Sequence, residues 1–346
     1  MHMIVHFTPD RDRSRVHYQQ FHNIFLYLID SCQLRCGHCY MGDRLERGLS
    51  LSLQEAKDII RACRRLGAEY ITFLGGEPTL YRDLAHVVAF ANESGFKQVM
   101  IDTNGLQPAH IFSIPPEQLY YVTVSLDGAT PHSHDKVRGK GPFTRTVASM
   151  KEMVARGYRV RINSTVFRFS LHEAPAMLQL ATEIGVKLVN FHTFSEEGLG
   201  IGKAWSVTPR EWVTFCESLR RINGDFPVSV WYPPTWAPRS LLPTYVGEGF
   251  RGCLGCSLDR LSIFPDGRCY LCSVLFDRAA HFATITSQGL VLNPENNEYH
   301  HFTQAMASAR ESWLSGCPAE RVLAEQGMPP PDRKLVSMCR CWKSQL

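Results

Sequence analysis

The stretch CQLRCGHCY, residues 32–40, places three cysteines, Cys32, Cys36 and Cys39, within eight residues. It follows directly on NIFLYLI (23–29), a continuous apolar run that reads as a buried strand. Five runs of the same character come after it: YITFL (70–74), KQVMID (97–102), YYVTVSL (120–126), RVRINSTV (159–166) and KLVNFH (187–192). Helical patterns fill the gaps at about 53–66, 82–94, 143–156, 172–184 and 209–222. Apolar strands separated by helices predict a parallel sheet covered on both faces. Six such units favour an α/β fold of partial (β/α)6 TIM-like barrel type over a short doubly wound sheet. In such a barrel the loops at the C-terminal strand ends carry the chemistry, and the cysteine stretch is the first of those loops.

The helices have local support. Ser52 and Glu55 form a capping box ahead of 53–66, where Leu53, Ala56, Ile59, Ile60, Cys63 and Leu66 share one stripe. Thr208, Pro209 and Glu211 open the 209–222 helix in the same way. Cys63 and Cys216 then read as small core residues. Residues 223–252, with FPVSVWYPPTWAPRSLLP, read as an irregular linker in which Trp231, Tyr232 and Trp236 serve packing. The chain divides into an arm (1–22), the barrel (23–222), this linker and a cysteine-rich segment (253–346).

With 346 residues, 44% of them hydrophobic and 20% charged, the chain has the composition of a globular protein of about two domains. A net charge of +4 is too small to argue for nucleic acid. No run of 18 apolar residues marks a membrane span, and the first residues lack a signal-peptide core. A cytoplasmic location is expected. Twelve cysteines in such a chain are not expected to form disulfides, and ten of them cluster, which points to metal or cluster ligation.

Zinc sites close tetrahedrally with four ligands, and here His38 would have to complete the set from inside a very tight loop. Three thiolates suit a [4Fe–4S] cluster better, because one iron is left open for a small molecule. C-x3-C-x2-C after the first strand resembles the signature of the radical S-adenosylmethionine (SAM) superfamily. The resemblance continues along the barrel. It includes Gly75, Gly76, Glu77 and Pro78 in LGGEPTL, Asn104 in DTNG, and Ser125 and Asp127 in SLDG. The resemblance implies a [4Fe–4S] cluster bound to SAM, reductive cleavage of SAM to a 5′-deoxyadenosyl radical, and hydrogen abstraction from a substrate. It also implies roles near SAM. Gly75 and Gly76 would allow close backbone approach to its methionine end, and Glu77 would meet its amino group. Ser125 and Asp127 would lie near the ribose or carboxylate, with Arg138 pairing the carboxylate. His38 would face the adenine, and Tyr40 would offer backbone contacts. Asn163, Thr165 and His192, at later strand ends, complete the expected cofactor-binding set.

The second set, CLGCSLDRLSIFPDGRCYLC (253–272), carries two C-x2-C pairs around a PDG turn and predicts a β-hairpin. Its spacing alone suits a zinc ribbon equally well. Cys256, ten residues, Gly267, four residues, Cys272 is similar to the opening of the auxiliary-cluster domains called SPASM or twitch. The remainder departs from a full SPASM pattern, with Cys317, Cys339 and Cys341 in the tail. At least one auxiliary [4Fe–4S] cluster is expected, on Cys253, Cys256, Cys272 and a tail cysteine; Cys269 is either a ligand or an inward thiol. The tail lacks the Gly-Gly end of the molybdopterin-precursor synthase. The resemblance implies an oxidoreductase-type enzyme acting on a peptide or peptide-like natural-product precursor, with the auxiliary cluster as electron acceptor or substrate anchor. The alternative is dehydrogenation or epimerisation of a small aminosugar or cyclitol. A non-catalytic iron–sulfur or zinc protein would not need the GGEP, TNG and SLDG elements. Expected partners are SAM, the substrate and a reductant such as flavodoxin or ferredoxin, with no nucleic acid and no membrane. The short arm is smaller than the leader-binding domain that peptide maturases often carry.

Overall fold

The computed structural model describes residues 21–233, 235–238, 240, 260–272, 276, 281–286, 289–293 and 335–337. The calls on Cys253, Cys256, Cys317, Cys339 and Cys341, the first 20 residues and residues 241–252 of the linker lie outside them. Six parallel strands form the barrel wall: β1 (Asn23–Tyr27), β2 (Tyr70–Leu74), β3 (Gln98–Thr103), β4 (Tyr121–Ser125), β5 (Val160–Val166) and β6 (Leu188–Thr193). The helices between and after them are α1 (Leu53–Arg65), α2 (Leu84–Glu93), α3 (Ala109–Phe112), α4 (Pro131–Arg138), α5 (Pro142–Ala155), α6 (Ala174–Ile184) and α7 (Pro209–Ile222). No helix among the described residues is long and apolar enough to cross a membrane.

Alternation along the strands separates two chemistries. Ile71, Phe73, Ile101, Val122, Val124, Ile162 and Val189 are fully buried and belong to the main apolar core. Many of the intervening positions are polar, and the register aligns them in rows: Asp102, Thr123 and Arg161 in one, Ser125, Asn163 and Asn190 in the next. Both predicted capping boxes are formed, with the Ser52 amide donating to Glu55 Oε2 at 2.8 Å and the Thr208 amide to Glu211 Oε2 at 2.7 Å. Cys63 and Cys216 are buried core residues, as read from their helices.

The structure departs from the sequence reading at three places. The expected linker contains β7 (Ser229–Trp231), which extends the parallel sheet beyond β6, and β8 (Trp236–Pro238). The indole of Trp212 on α7 donates to the Pro233 carbonyl at 3.2 Å and ties this segment down. α4, in a stretch where no helix was expected, starts at the Thr130 cap with Pro131 in its first turn. The predicted hairpin is present as β9 (Arg260–Ile263) and β10 (Arg268–Tyr270), but it also continues the barrel sheet. β9 pairs in parallel with β1, and β11 (Ala283–Thr286) and β12 (Gly289–Leu292) follow on the far side. A short strand β13 (Leu335–Ser337) pairs with β8.

The pairing of β1 with β2 runs on past the strand ends. Gly76 donates to the Ile29 carbonyl at 2.7 Å and Glu77 to the Ser31 carbonyl at 2.9 Å. A Cβ on Gly76 would lie 2.2 Å from the Asp30 oxygen and 2.4 Å from the Ser31 oxygen. Both obstacles are backbone, so they cannot yield by a rotamer change. Gly76→Ala is therefore expected to cost about 1–3 kcal/mol in urea unfolding, the usual range for overpacking. It should also lower the iron retained after anaerobic reconstitution, because it displaces the chain entering the cysteine loop.

Candidate active site

The C-terminal strand ends open on a cavity of about 360 Å³, and Cys32, Cys36 and Cys39 all line it. Three neighbouring loops hold the cysteine loop in place. The β2 exit pairs with residues 29–31, the Gly37 amide donates to the Val137 carbonyl of α4 at 2.7 Å, and the Leu199 amide donates to the Cys39 carbonyl at 2.9 Å. Trp205 packs on Gly37 so closely that a Cβ there would lie 2.8 Å from the indole.

Burial pushes the Cys32 thiol up to about 12 and the Cys36 thiol up to about 11, and it raises Cys39 as well. Left alone, these thiols keep their protons; a bound metal centre replaces the proton and takes the thiolate. Donors already face the sulfurs. The Leu34 amide is 3.4 Å from Cys32 Sγ, Asn104 Nδ2 is 3.9 Å from the same atom, and Arg138 Nη1 is 4.0 Å from Cys36 Sγ.

Asp127 is nearly inaccessible and collects four partners. Arg138 Nε lies 2.5 Å from Oδ2, His38 Nε2 lies 3.3 Å from the same oxygen, and the Thr165 amide donates to Oδ1 at 2.8 Å. The Asp127 amide donates to His134 Nδ1 at 3.1 Å. Burial alone would raise this carboxyl, but Arg138, His38 and the Thr165 amide outweigh it and hold it well below the usual carboxylate range. Burial lowers His38 to about 4, so the ring is neutral, and its Nδ1 has no hydrogen-bond partner among the described residues. Glu77 is also fully buried. Its Oε1 accepts from Thr79 N, Thr79 Oγ1 and Thr103 Oγ1, and its Oε2 accepts from Asn104 N at 2.8 Å.

Residues 26–181 match the model of the radical SAM superfamily. The matched segment is a radical SAM domain. The chain is 32% identical to the Fe-coproporphyrin III synthase of Methanosarcina barkeri over 173 residues, 49% of this chain and 43% of that protein. It is 26% identical to the PqqA peptide cyclase of Ruegeria pomeroyi over 249 residues, 71% of this chain and 66% of that one. It spans about half the length of the first curated relatives it matches. Its fold resembles that of Streptococcus suis SuiB bound to S-adenosylmethionine, with a TM-score of 0.64 at 16% identity, over 87% of this chain and 69% of that one. SuiB bound to its precursor peptide SuiA gives a TM-score of 0.62 at 17% identity, over 87% and 68%.

The residues of this radical SAM domain fit a cluster carried on three cysteines. Buried or half-buried thiols share one cavity, nitrogen donors face two of the sulfurs, and Gly75, Gly76 and Glu77 line the same cavity. The cavity also gathers His38, Tyr40, Asn104, Ser125, Asp127, Arg138, Asn163, Thr165 and His192 from the sequence reading. Pro78 is not on its wall; it starts the turn that carries Thr79 to the Glu77 carboxylate.

Several of these residues also have partners within the protein. Gly75 and Gly76 are glycines because residues 29–31 pass against them, with a Cβ on Gly75 falling 2.5 Å from the Ile29 oxygen; the missing side chains serve backbone packing. Glu77 joins the β2 and β3 exits, which leaves acceptor capacity for a ligand only at Oε2. Asn163 Oδ1 accepts from Asn190 Nδ2 at 2.9 Å, and His192 packs on Trp231 with ring centroids 5.4 Å apart. Tyr40 does more than offer backbone, since its hydroxyl meets that of Tyr27 at 2.8 Å. Cys269 and Cys272 are buried on the hairpin away from this wall, and Cys269 Sγ lies 3.5 Å from the Gly267 carbonyl.

Sequence reading missed Phe25, Tyr27, Asp102, Glu197 and Arg260 on the wall. Strand alternation was the signal for the first three. Arg260 arrives through the unforeseen β9–β1 pairing, its guanidinium 4.3 Å from the centroid of the Phe25 ring.

His134, buried under Asp127, has its pKa lowered to about 4, chiefly by burial. Its Nδ1 must stay unprotonated to accept from the Asp127 amide. The folded value lies below the unfolded value of about 6.5, so the unfolded chain binds more protons between them. Stability is then expected to fall as pH drops from about 6.5 towards 4, by up to about 1.4 kcal/mol per unit from this group. Denaturant unfolding of wild type and His134→Asn across that window should give a shallower pH slope for the variant.

Proposed function

We propose that the chain is a radical SAM enzyme that oxidises or crosslinks a peptide or peptide-like natural-product precursor. The observation that carries the reading is the convergence of Cys32, Cys36 and Cys39 with the GGEP and SLDG exits on one cavity at the C-terminal strand ends. Cys32, Cys36 and Cys39 would hold a [4Fe–4S] cluster, and Glu77 Oε2, the Asp127–Arg138 pair and His38 would surround SAM. When bound, this pair supplies a 5′-deoxyadenosyl radical able to take a hydrogen atom from a substrate carbon. The protein's part is orientation. Asp127 fixes the Arg138 guanidinium beside Cys36, Asn104 spans Glu77 and Cys32, and the buried wall limits water.

The substrate reading is supported by the likeness to a peptide cyclase and to a fold that takes a precursor peptide. The sheet also suits a chain-like substrate. Among the described strands it ends at β7 and β12 without closing, so the barrel has an open side. An auxiliary [4Fe–4S] cluster on Cys253, Cys256, Cys272 and a tail cysteine would accept the second electron or anchor the peptide. A second reading, a small polar metabolite, is favoured by the charged barrel interior. Asp102 and Arg260 line the cavity, and Arg161 lies 3.8 Å from Asp102.

Anaerobic reconstitution tests both levels. Wild type is expected to hold about eight iron atoms, and Cys36→Ala about four. With SAM and dithionite the wild type should release 5′-deoxyadenosine and the variant none; wild type releasing none would overturn the assignment. A precursor peptide encoded beside the gene should lose hydrogens in step with 5′-deoxyadenosine. An unchanged peptide mass, with a sugar consumed instead, would select the second reading.

A further inference from the structure

The outer face of the cysteine loop has a construction that substrate chemistry does not require. Gly37, midway between Cys36 and Cys39, presents bare backbone, and Trp205 lies against it. Trp205 meets Phe169 edge-on at 6.0 Å, so a pair of aromatic rings backs onto the cysteine loop at Gly37. Each ring carries a lysine. Lys203 Nζ lies 5.6 Å from the Trp205 centroid, and Lys136 Nζ lies 3.9 Å from that of Phe169. Both lysines are exposed, and neither forms an ion pair among the described residues. The nearby acids are occupied. Glu196 accepts from Ser206 Oγ at 2.5 Å, Asp135 accepts from the Gly141 and Phe143 amides, and Glu211 pairs with Arg168. The loop that carries Lys203 and Trp205 also holds Ile201, a large apolar side chain 68% exposed.

Positive charge, aromatic rings and an exposed isoleucine together suit a weak protein contact with an acidic partner. Its position fixes the purpose of that contact, because it backs directly onto the cluster loop and lies outside the cavity. We propose that the Trp205–Phe169 face with Lys136 and Lys203 docks an acidic one-electron carrier of the flavodoxin type and is the entry point for the electron that reduces the cluster. The inference rests on the radical SAM reading. In the step, a flavin hydroquinone anion loses one electron and becomes the neutral semiquinone, and the oxidised cluster on Cys32, Cys36 and Cys39 gains that electron. No proton and no other reactant enters the balance.

The test uses the full chain and a bacterial flavodoxin. Binding of oxidised flavodoxin, measured by titration calorimetry in the absence of SAM and substrate, needs no turnover. Lys136→Glu combined with Lys203→Glu should weaken it at least about tenfold at low salt. It should also remove the loss of affinity that wild type shows as salt rises. Reduction of the reconstituted cluster by flavodoxin hydroquinone, followed by stopped-flow absorbance, should slow by a similar factor, with reduction by dithionite unchanged. Wild-type affinity and salt dependence in the variant would overturn the proposal. An equal loss with both reductants would also overturn it, because the lysines would then act on the cluster itself. Iron content and dithionite-driven 5′-deoxyadenosine report on the radical SAM reading separately. If both survive while flavodoxin binding does not change, the enzyme stands and the docking face falls. If peptide binding alone weakens, the face belongs to the substrate and the proposal fails.

Discussion

The backbone of residues 29–31 lies on the backbone of residues 75–77 with no space for a side chain between them. That contact fixes where the cysteine loop leaves β1. It also sets Glu77, whose carboxylate then reaches Thr103 and the Asn104 amide on the next strand end. Asn104 in turn reaches Cys32. A series of short polar contacts thus runs from the β1 exit through β2 and β3 and back to the first thiol. A strand-to-strand hydrogen-bond pattern has been extended by a few residues to frame a binding site.

The barrel interior follows a different logic. Its inward positions carry Asp102, Thr123, Arg161, Asn163 and Asn190, which would be costly to bury singly. The register puts them side by side, so Arg161 finds Thr123 at 2.7 Å and Asn190 finds Asn163. The core that stabilises the fold lies outside the sheet, under the helices, and the lumen is left free for chemistry. Asp127 shows the same economy near the top: its buried carboxylate orients an arginine and one histidine, and its main-chain amide holds a second histidine.

What could be read from the sequence was what is local. The strands up to β6, the capping boxes at Ser52 and Thr208, and the motifs at the strand ends depend on residues within a few positions of one another. The cavity accordingly collects nearly all the site residues named from those motifs. β7 escaped notice because three residues beside prolines carry no pattern of their own; its pairing is supplied by the edge of β6. α4 escaped because PHSHDKVR is mostly polar, although Thr130–Pro131 was a usable start signal. The glycines of GGEP were legible as necessary, but their neighbour was not, since Ile29 and Asp30 lie over 40 residues away. Arg260 was hidden for the same reason on a larger scale.

Arg44, just past the cysteine loop, is fully buried, sits over Phe264 at 4.1 Å and reaches Asp266 at 3.3 Å, 222 residues further along the chain. β1 likewise gains its second neighbour only from residues 260–263. During synthesis the first strand therefore waits with one edge open until three quarters of the chain has emerged, about a quarter of a minute at ordinary ribosome speed. Such an edge invites mispairing with other chains. Arg44, which follows the cysteine loop, also meets Asp266 only then. The frame around the cysteine loop is thus completed late, and the order of assembly is written into the distance between Arg44 and Asp266.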